Sequence, residues 1–183
     1  MRKLTMIVIA AFALAFASCG NTNSSTNTNS DANKKTNEAP AKVTYETFTV
    51  EKYGASFELP KGMRRTDDPK MDNGGAWTFV PESEMFAINA AVDFGVYESI
   101  WGDYDDERIQ REFNEDIPEE AVKKLDLEKK EYTYSVGEEY KEFHRVLFKG
   151  NQSIHVIVVY TDEYASKLGG EVRDHILNSA KFN

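Results

Sequence analysis

Gln152-Ser153-Ile154-His155-Val156-Ile157-Val158-Val159-Tyr160 is the stretch on which the fold turns. Side chains alternate along a strand, so Ile154, Val156 and Val158 share one face, and His155, Ile157 and Val159 share the other. A strand apolar on both faces belongs in the middle of a sheet, with cover on each side. Gly150-Asn151 joins it to Glu139–Lys149 as a two-residue hairpin, because both residues tolerate positive φ. That turn sets a register in which Val146 faces His155 and His144 is the diagonal neighbour on the same face. Upstream, Glu131–Val136 is a further strand with Tyr132, Tyr134 and Val136 on one face, turning at Gly137-Glu138.

Further toward the N-terminus the pattern stays strand-like. In Met85–Val96 the residues Phe86, Ile88, Ala90, Val92 and Phe94 occupy one face, and Ala87, Asn89, Ala91 and Asp93 the other. Ala76–Val80 is a short strand ended by Pro81. Glu51–Leu59 is another, stopped by Pro60 and Gly62, and Tyr45, Thr47 and Thr49 alternate in a first strand. Arg64–Gly75 is a polar loop. Asp103–Asn114 predicts a helix capped by Asp103 or Asp105, with acids in its first turn and an Ile109/Phe113 pair. Pro118 predicts the start of a second helix, with Ile117, Ala121, Val122 and Leu125 as its buried stripe. Asp162–Asn178 predicts a third, with Tyr164, Leu168, Val172 and Ile176 recurring every four residues and Gly169-Gly170 breaking it. Strands, two helices, three strands and a helix make an α+β domain on an antiparallel β-sheet.

The chain has 183 residues, and its first 42 read differently from the rest. Residues 1–18 form a signal peptide: Arg2 and Lys3 are followed by an apolar run, Leu4–Ala17, of about 14 residues, too short for the roughly 20 that span a bilayer. Phe16-Ala17-Ser18-Cys19 resembles the lipobox of bacterial lipoproteins, with Phe16 standing where Leu is usual. That resemblance implies cleavage before Cys19 and a covalent lipid on its sulfur. Cys19 is the only cysteine, so the lipidated chain has no thiol for a disulfide, a nucleophile or a thiolate metal site. Residues 19–42, rich in Asn, Thr, Ser and Lys without large apolar groups, read as a disordered tether. The globular domain is expected over 43–183. No cofactor is expected apart from the lipid on Cys19.

Formal net charge is −9, and loss of Arg2 and Lys3 takes it to about −11. Such a surface argues against nucleic-acid binding, which needs basic patches. It also leaves attachment to the bilayer to the acyl chains at Cys19. Gly20 and Asn21 are not the Asp that retains lipoproteins at the inner membrane, so an outer-membrane lipoprotein facing the periplasm is expected.

Four groups of residues invite functional readings. His144 and His155 on one face would suit zinc or a proton-responsive pair, and are the basis of an alternative reading as a metal-dependent hydrolase; a metal wants further ligands, and none stands at predictable spacing. Asp103-Tyr104-Asp105-Asp106-Glu107 offers carboxylates for calcium, but lacks the Gly and distal Glu of an EF-hand loop and also fits a helix start. Arg64 and Arg65, in a loop with Asp67, Asp68 and Asp72, would clamp a carboxylate or phosphate. Trp77, Phe79, Tyr97, Trp101 and Tyr104 would line a groove or a protein interface, or lie in the core. No nucleophile elbow, zinc-protease helix, phosphate loop or dinucleotide fingerprint is present, so no reaction is expected.

Two segments resemble the family of PsbP-like domains, which includes DcrB-type lipoproteins and a Ran-binding nuclear import factor. Tyr53-Gly54-Ala55-Ser56-Phe57-Glu58-Leu59-Pro60-Lys61-Gly62-Met63 is similar to the family's opening strand and turn, with Met63 in place of an aromatic. Ile176-Leu177-Asn178-Ser179-Ala180-Lys181-Phe182 is similar to its closing segment, with Ala180 in place of an aromatic. The resemblance implies an antiparallel β-sheet flanked by helices on both faces, and a binding or scaffolding role. It carries over no catalytic residue. The expected function is a membrane-anchored, non-catalytic binding domain with a protein partner in the cell envelope.

Overall fold

The structure, a computed structural model, describes residues 42–66, 74–82 and 90–183. The signal peptide, Cys19 and the tether up to residue 41 lie outside the described residues. So do Asp67, Asp68 and Asp72 of the polar loop and residues 85–89 of the strand expected over Met85–Val96. The elements in chain order are β1 (Tyr45–Val50), β2 (Ala55–Pro60), β3 (Met63–Arg65), β4 (Gly74–Pro81), β5 (Ala90–Glu98), α1 (Asp106–Glu115), β6 (Val122–Asp126), β7 (Glu131–Val136), β8 (Lys141–Lys149), β9 (Gln152–Tyr160), α2 (Ala165–Leu168), α3 (Gly170–Ser179) and β10 (Lys181–Phe182).

Strand β9 is where the alternation puts it. It lies fourth in a seven-stranded antiparallel sheet ordered β3-β4-β5-β9-β8-β7-β6. Ile154, Val156 and Val158 are fully buried on one side. They meet Val92, Phe94 and Val96 of β5 and the helices α2 and α3 through Leu168 and Ile176 in the larger core. A second, three-stranded sheet (β1-β2-β10) shares the cover of this face. Phe57 of β2 stacks on Phe94 with ring centroids 4.3 Å apart, and Phe48 meets Phe79 edge-on at 5.0 Å. The opposite face is covered at one end by α1. Ile109 there packs with Ile117, Tyr132, Val146 and Phe148 in a smaller core. Helices therefore flank both faces of the main sheet, as the alternation and composition imply.

Helix α1 begins as its sequence dictates: the Asp105 carboxylate accepts from the Arg108 N–H at 2.8 Å. The terminal helix breaks at the glycine pair. Gly169 is extended and Gly170 left-handed at φ 53°. A Cβ on Gly169 would lie 2.4 Å from the Ala165 carbonyl oxygen, which no side chain tolerates. The β8–β9 hairpin has the expected two-residue loop, with Gly150 alone in the left-handed region at φ 58°.

Several elements differ from the sequence reading. Arg64 and Arg65, expected in a polar loop, lie in strand β3, paired with β4 because Met63–Arg65 continues along Phe79–Pro81 after the turn at Lys61-Gly62. Glu51–Tyr53 is a single tight helical turn, not the start of a strand; Gly54 at φ 57° closes it and starts β2. The second helix expected from Pro118 does not form. After a turn in which the Ala121 N–H donates to Pro118 O, Val122–Asp126 is strand β6, paired with β7 so that Leu125 faces Tyr132. Ile117 is buried and Ala121 and Leu125 pack beside it, but Val122 is 79% exposed. The reason lies in the next turn: the Asp126 carboxylate accepts from Lys129 N–H, and Lys130 takes φ 53°. That closes a short hairpin, which a helix could not enter.

Candidate functional site

The loop from Ser99 to Asp105 joins β5 to α1 and presents large apolar side chains to solvent. Trp101 is 83% exposed and Ile100 72% exposed. The loop is held from several sides. Ser99 N–H donates to Asn151 O at 2.7 Å and Tyr104 N–H to Gly150 O at 2.8 Å, both across to the β8–β9 turn. The Trp101 N–H donates to Ser99 Oγ at 3.0 Å. Arg108 of α1 reaches back to Ser99 Oγ at 2.8 Å and to Gly102 O at 3.0 Å. Its guanidinium also lies over the Tyr104 ring, 3.8 Å from the centroid. Tyr104 in turn packs against Phe148 at 4.6 Å. Tyr104 thus anchors the loop and Trp101 is displayed by it.

Beside Trp101 lies a depression of about 510 Å³ lined by Asp103, Asp105, Glu107, Glu112, Glu115 and Asp116, with Arg108 and Arg111 between them. Arg108 is committed to Glu112 at 3.1 Å and to the loop. The surface around Trp101 is therefore net acidic. Among the described residues no group of three or more metal-ligating side chains converges, here or elsewhere. Asp105 is used as the helix cap, and Asp106 pairs with Lys130 at 2.6 Å.

The other aromatics have different places. Phe79 is buried and Trp77 packs against the larger core. The Trp77 ring covers Gly75, leaving 2.5 Å to where a Cβ would be. Tyr97 covers Gly95 in the same way on the opposite face, and meets His155 edge-on at 5.0 Å. Only the global fold separates these rings from Trp101; their local sequence does not.

His144 and His155 do share a face, with Val146 opposite His155 and His144 opposite Ile157. Each ring has its own partner. His144 is buried, stacks on Tyr134 at 4.0 Å and points Nε2 at Glu142, 3.3 Å away. His155 shares a hydrogen bond with Ser153 Oγ at 3.1 Å. Burial lowers the His155 pKa to about 4, helped by the nearby His144 charge. Burial also lowers that of His144, against the pull of Glu142. The pair is a neutral polar cluster in a sheet face, and no third ligand joins it among the described residues. Arg64 and Arg65 are consecutive on β3, opposite Val80 and Phe79, so their side chains leave the sheet on opposite faces. His175 on α3 is part of a surface cluster: Nε2 lies 2.6 Å from Glu58 and the ring stacks on Tyr45 at 3.7 Å.

Among the described residues no helix is long and apolar enough to cross a membrane. No protein-family model matches this chain, and no curated protein sequence does. Solved structures do. The solution structure of cyanobacterial PsbP from Synechocystis sp. PCC 6803 matches with TM-score 0.52 at 13% identity, over 80% of this chain and 96% of that one. A crystal structure from Bacteroides thetaiotaomicron VPI-5482 matches with TM-score 0.50 at 12% identity, over 75% of this chain and 48% of that one, so this chain spans about half its length. The Saccharomyces cerevisiae Ran-binding protein Mog1p is a fainter match, with TM-score 0.45 at 13% identity, over 77% of this chain and 96% of that one. At such identities a likeness speaks for the fold alone, and the domain has the PsbP-like fold.

Proposed function

We propose that this chain is a membrane-anchored lipoprotein whose domain is a non-catalytic binding or scaffolding module. In this reading it docks a basic-surfaced protein of the cell envelope through Ile100, Trp101 and the acidic side of α1. The observation that carries the docking reading is Trp101, 83% exposed on a loop that five hydrogen bonds to its surroundings and within itself hold in place. A large aromatic held rigidly in solvent loses little conformational freedom on binding, and such residues dominate interface energetics. The six carboxylates beside it select a cationic partner and speed its arrival.

Anchoring rests on the sequence: the signal peptide, the lipobox ending at Cys19 and the polar tether. The lipid holds the domain at the outer membrane, on its periplasmic side. Metabolic labelling with a fatty-acid analogue will mark the wild-type chain and leave Cys19→Ala unmarked; label retained by Cys19→Ala ends the anchoring claim. For docking, the full chain is photo-crosslinked in native membranes from position 103, beside Trp101, with position 167 on α2, at the opposite face of the main sheet, as the control. A discrete adduct from 103 alone is expected, weakened by high salt and lost when Ile100→Ala is combined with Trp101→Ala. Equal adducts from both positions would refute the docking surface.

A further inference from the structure

A groove on the other side of the molecule has no part in this reading. Helix α3 covers β8 and β9 but stops short of β6 and β7. The face of those two strands therefore forms the floor of a cleft of about 320 Å³. Pairing puts Lys124, Thr133 and Arg145 in one row across the floor, and Val122, Ser135 and Phe143 in the next. Arg173, Asp174, Leu177 and Asn178 of α3 form the far wall.

The polar groups of this groove divide into two sets. Arg145 is committed. It pairs with Glu131 at 2.5 Å and donates to Leu177 O at 2.8 Å, satisfying the C-terminal end of α3. Arg173 is half-committed, bonded to Asp174 at 2.7 Å and lying over the Phe143 ring at 4.2 Å. The second set makes no hydrogen bond or close ion pair among the described residues: the Lys124 ammonium, whose charge is felt by Asp126 on the same strand, the Thr133 and Ser135 hydroxyls and the Asn178 amide. Strand β6 is the sheet edge and carries Lys123 and Lys124, and lysines on an edge also serve to discourage pairing with other chains. That role does not account for two hydroxyls and an amide facing the same space.

We infer that this groove binds a small organic monocarboxylate with an apolar body. Of the described cations lining the cleft, Lys124 makes no hydrogen bond, close ion pair or ring contact, and it matches a single negative charge; the hydroxyls and amide supply the remaining donors that a carboxylate accepts. Asp174 on the wall opposes a dianion such as phosphate. Phe143, Leu177 and Val122 give the apolar body its contact. The volume lies at the lower end of the range for small-molecule sites.

The test uses the full chain in detergent micelles with benzoate as the probe, followed through the backbone amide shifts of Thr133, Ser135 and Asn178. Benzoate is expected to move these three amides with saturation in the millimolar range. Lys124→Ala should weaken binding about tenfold, as befits one charge-assisted hydrogen bond. Ser135→Ala should weaken it less, and benzyl alcohol should move nothing. Lys124 is exposed, so its loss should leave thermal stability unchanged. The inference fails if benzoate leaves the three amides still, if Lys124→Ala binds it as well as wild type, or if inorganic phosphate competes at equal concentration. Because the probe is read at the groove, the result is independent of whether Trp101 docks a partner.

Discussion

His155 shows how a single side chain ties the sheet to pH. Its neighbours cover most of the ring, which is half-buried, and give it one neutral partner, Ser153. Above about pH 6.5 the imidazole is neutral in the folded and unfolded chain alike. Below that, the unfolded chain takes up a proton that the folded chain refuses until about pH 4. More protons are bound to the unfolded state throughout that window, so stability falls as pH drops from about 6.5 to about 4. At about 1.4 kcal/mol per pKa unit the loss approaches 3 kcal/mol. Urea denaturation at pH 7 and pH 4.5 will show a smaller acid-induced loss for His155→Gln, which keeps a hydrogen-bonding group for Ser153 but cannot titrate. An unchanged pH dependence in the variant would remove His155 from the account. His144 acts in the same direction, since burial lowers its pKa too, but Glu142 partly offsets it.

Among the elements, the turn between β7 and β8 is the most sharply constrained. Gly137 sits at φ 90°, and a Cβ there would come within 1.8 Å of the Tyr140 carbonyl oxygen. Both faults are in backbone, so Gly137→Ala should destabilise the domain by about 2 kcal/mol, the cost of a strained φ together with a forced shift; a midpoint within error of wild type would show that the turn relaxes freely. The same scale shows what can be read from one-dimensional pattern. Strand β9 was legible because nine residues alternate without interruption, and the Gly150-Asn151 turn then fixed which residue of β8 meets His155. Strand β6 was not, because Ile117, Ala121 and Leu125 are spaced four apart and satisfy a helical stripe as well as a turn followed by a strand. The deciding residues, Asp126 and Lys130, act through the next hairpin. At the candidate interface, Trp77 sits in a strand-like stretch and Trp101 just ahead of a helix start, and neither stretch alone says which ring is covered. One covers Gly75 in the core and the other stands in solvent, a difference that arises only when β4 packs on β5 and the β5–α1 loop crosses to the β8–β9 turn. The groove behind β6 was invisible for the same reason, since its polar groups come from β6, β7 and α3.

At the scale of the whole domain, two sheets are joined through aromatic side chains more than through any shared strand. Phe57 has no exposure and stacks on Phe94 across the gap, with Phe48 and Phe79 around it. Phe57→Ala removes the ring at the centre of that joint and leaves a cavity, costing about 3–5 kcal/mol. Chemical denaturation should show that loss with a single transition; a shift below about 1 kcal/mol would mean that the two sheets are held together elsewhere. The two segments that carried the family resemblance also meet at this scale. Lys181 pairs with Ser56 and Phe182 with Ala55, so the opening and closing motifs are neighbours in the small sheet.

That pairing has a consequence for the order in which the domain is completed. Strand β2 has β1 beside it from the outset, but its other neighbour, β10, is made of residues 181 and 182. Until those residues emerge from the ribosome, β2 keeps one unpaired edge and the small sheet is a two-stranded hairpin, marginal on its own. A chain cut back before residue 181 should therefore keep the seven-stranded sheet and lose the third strand of the small one.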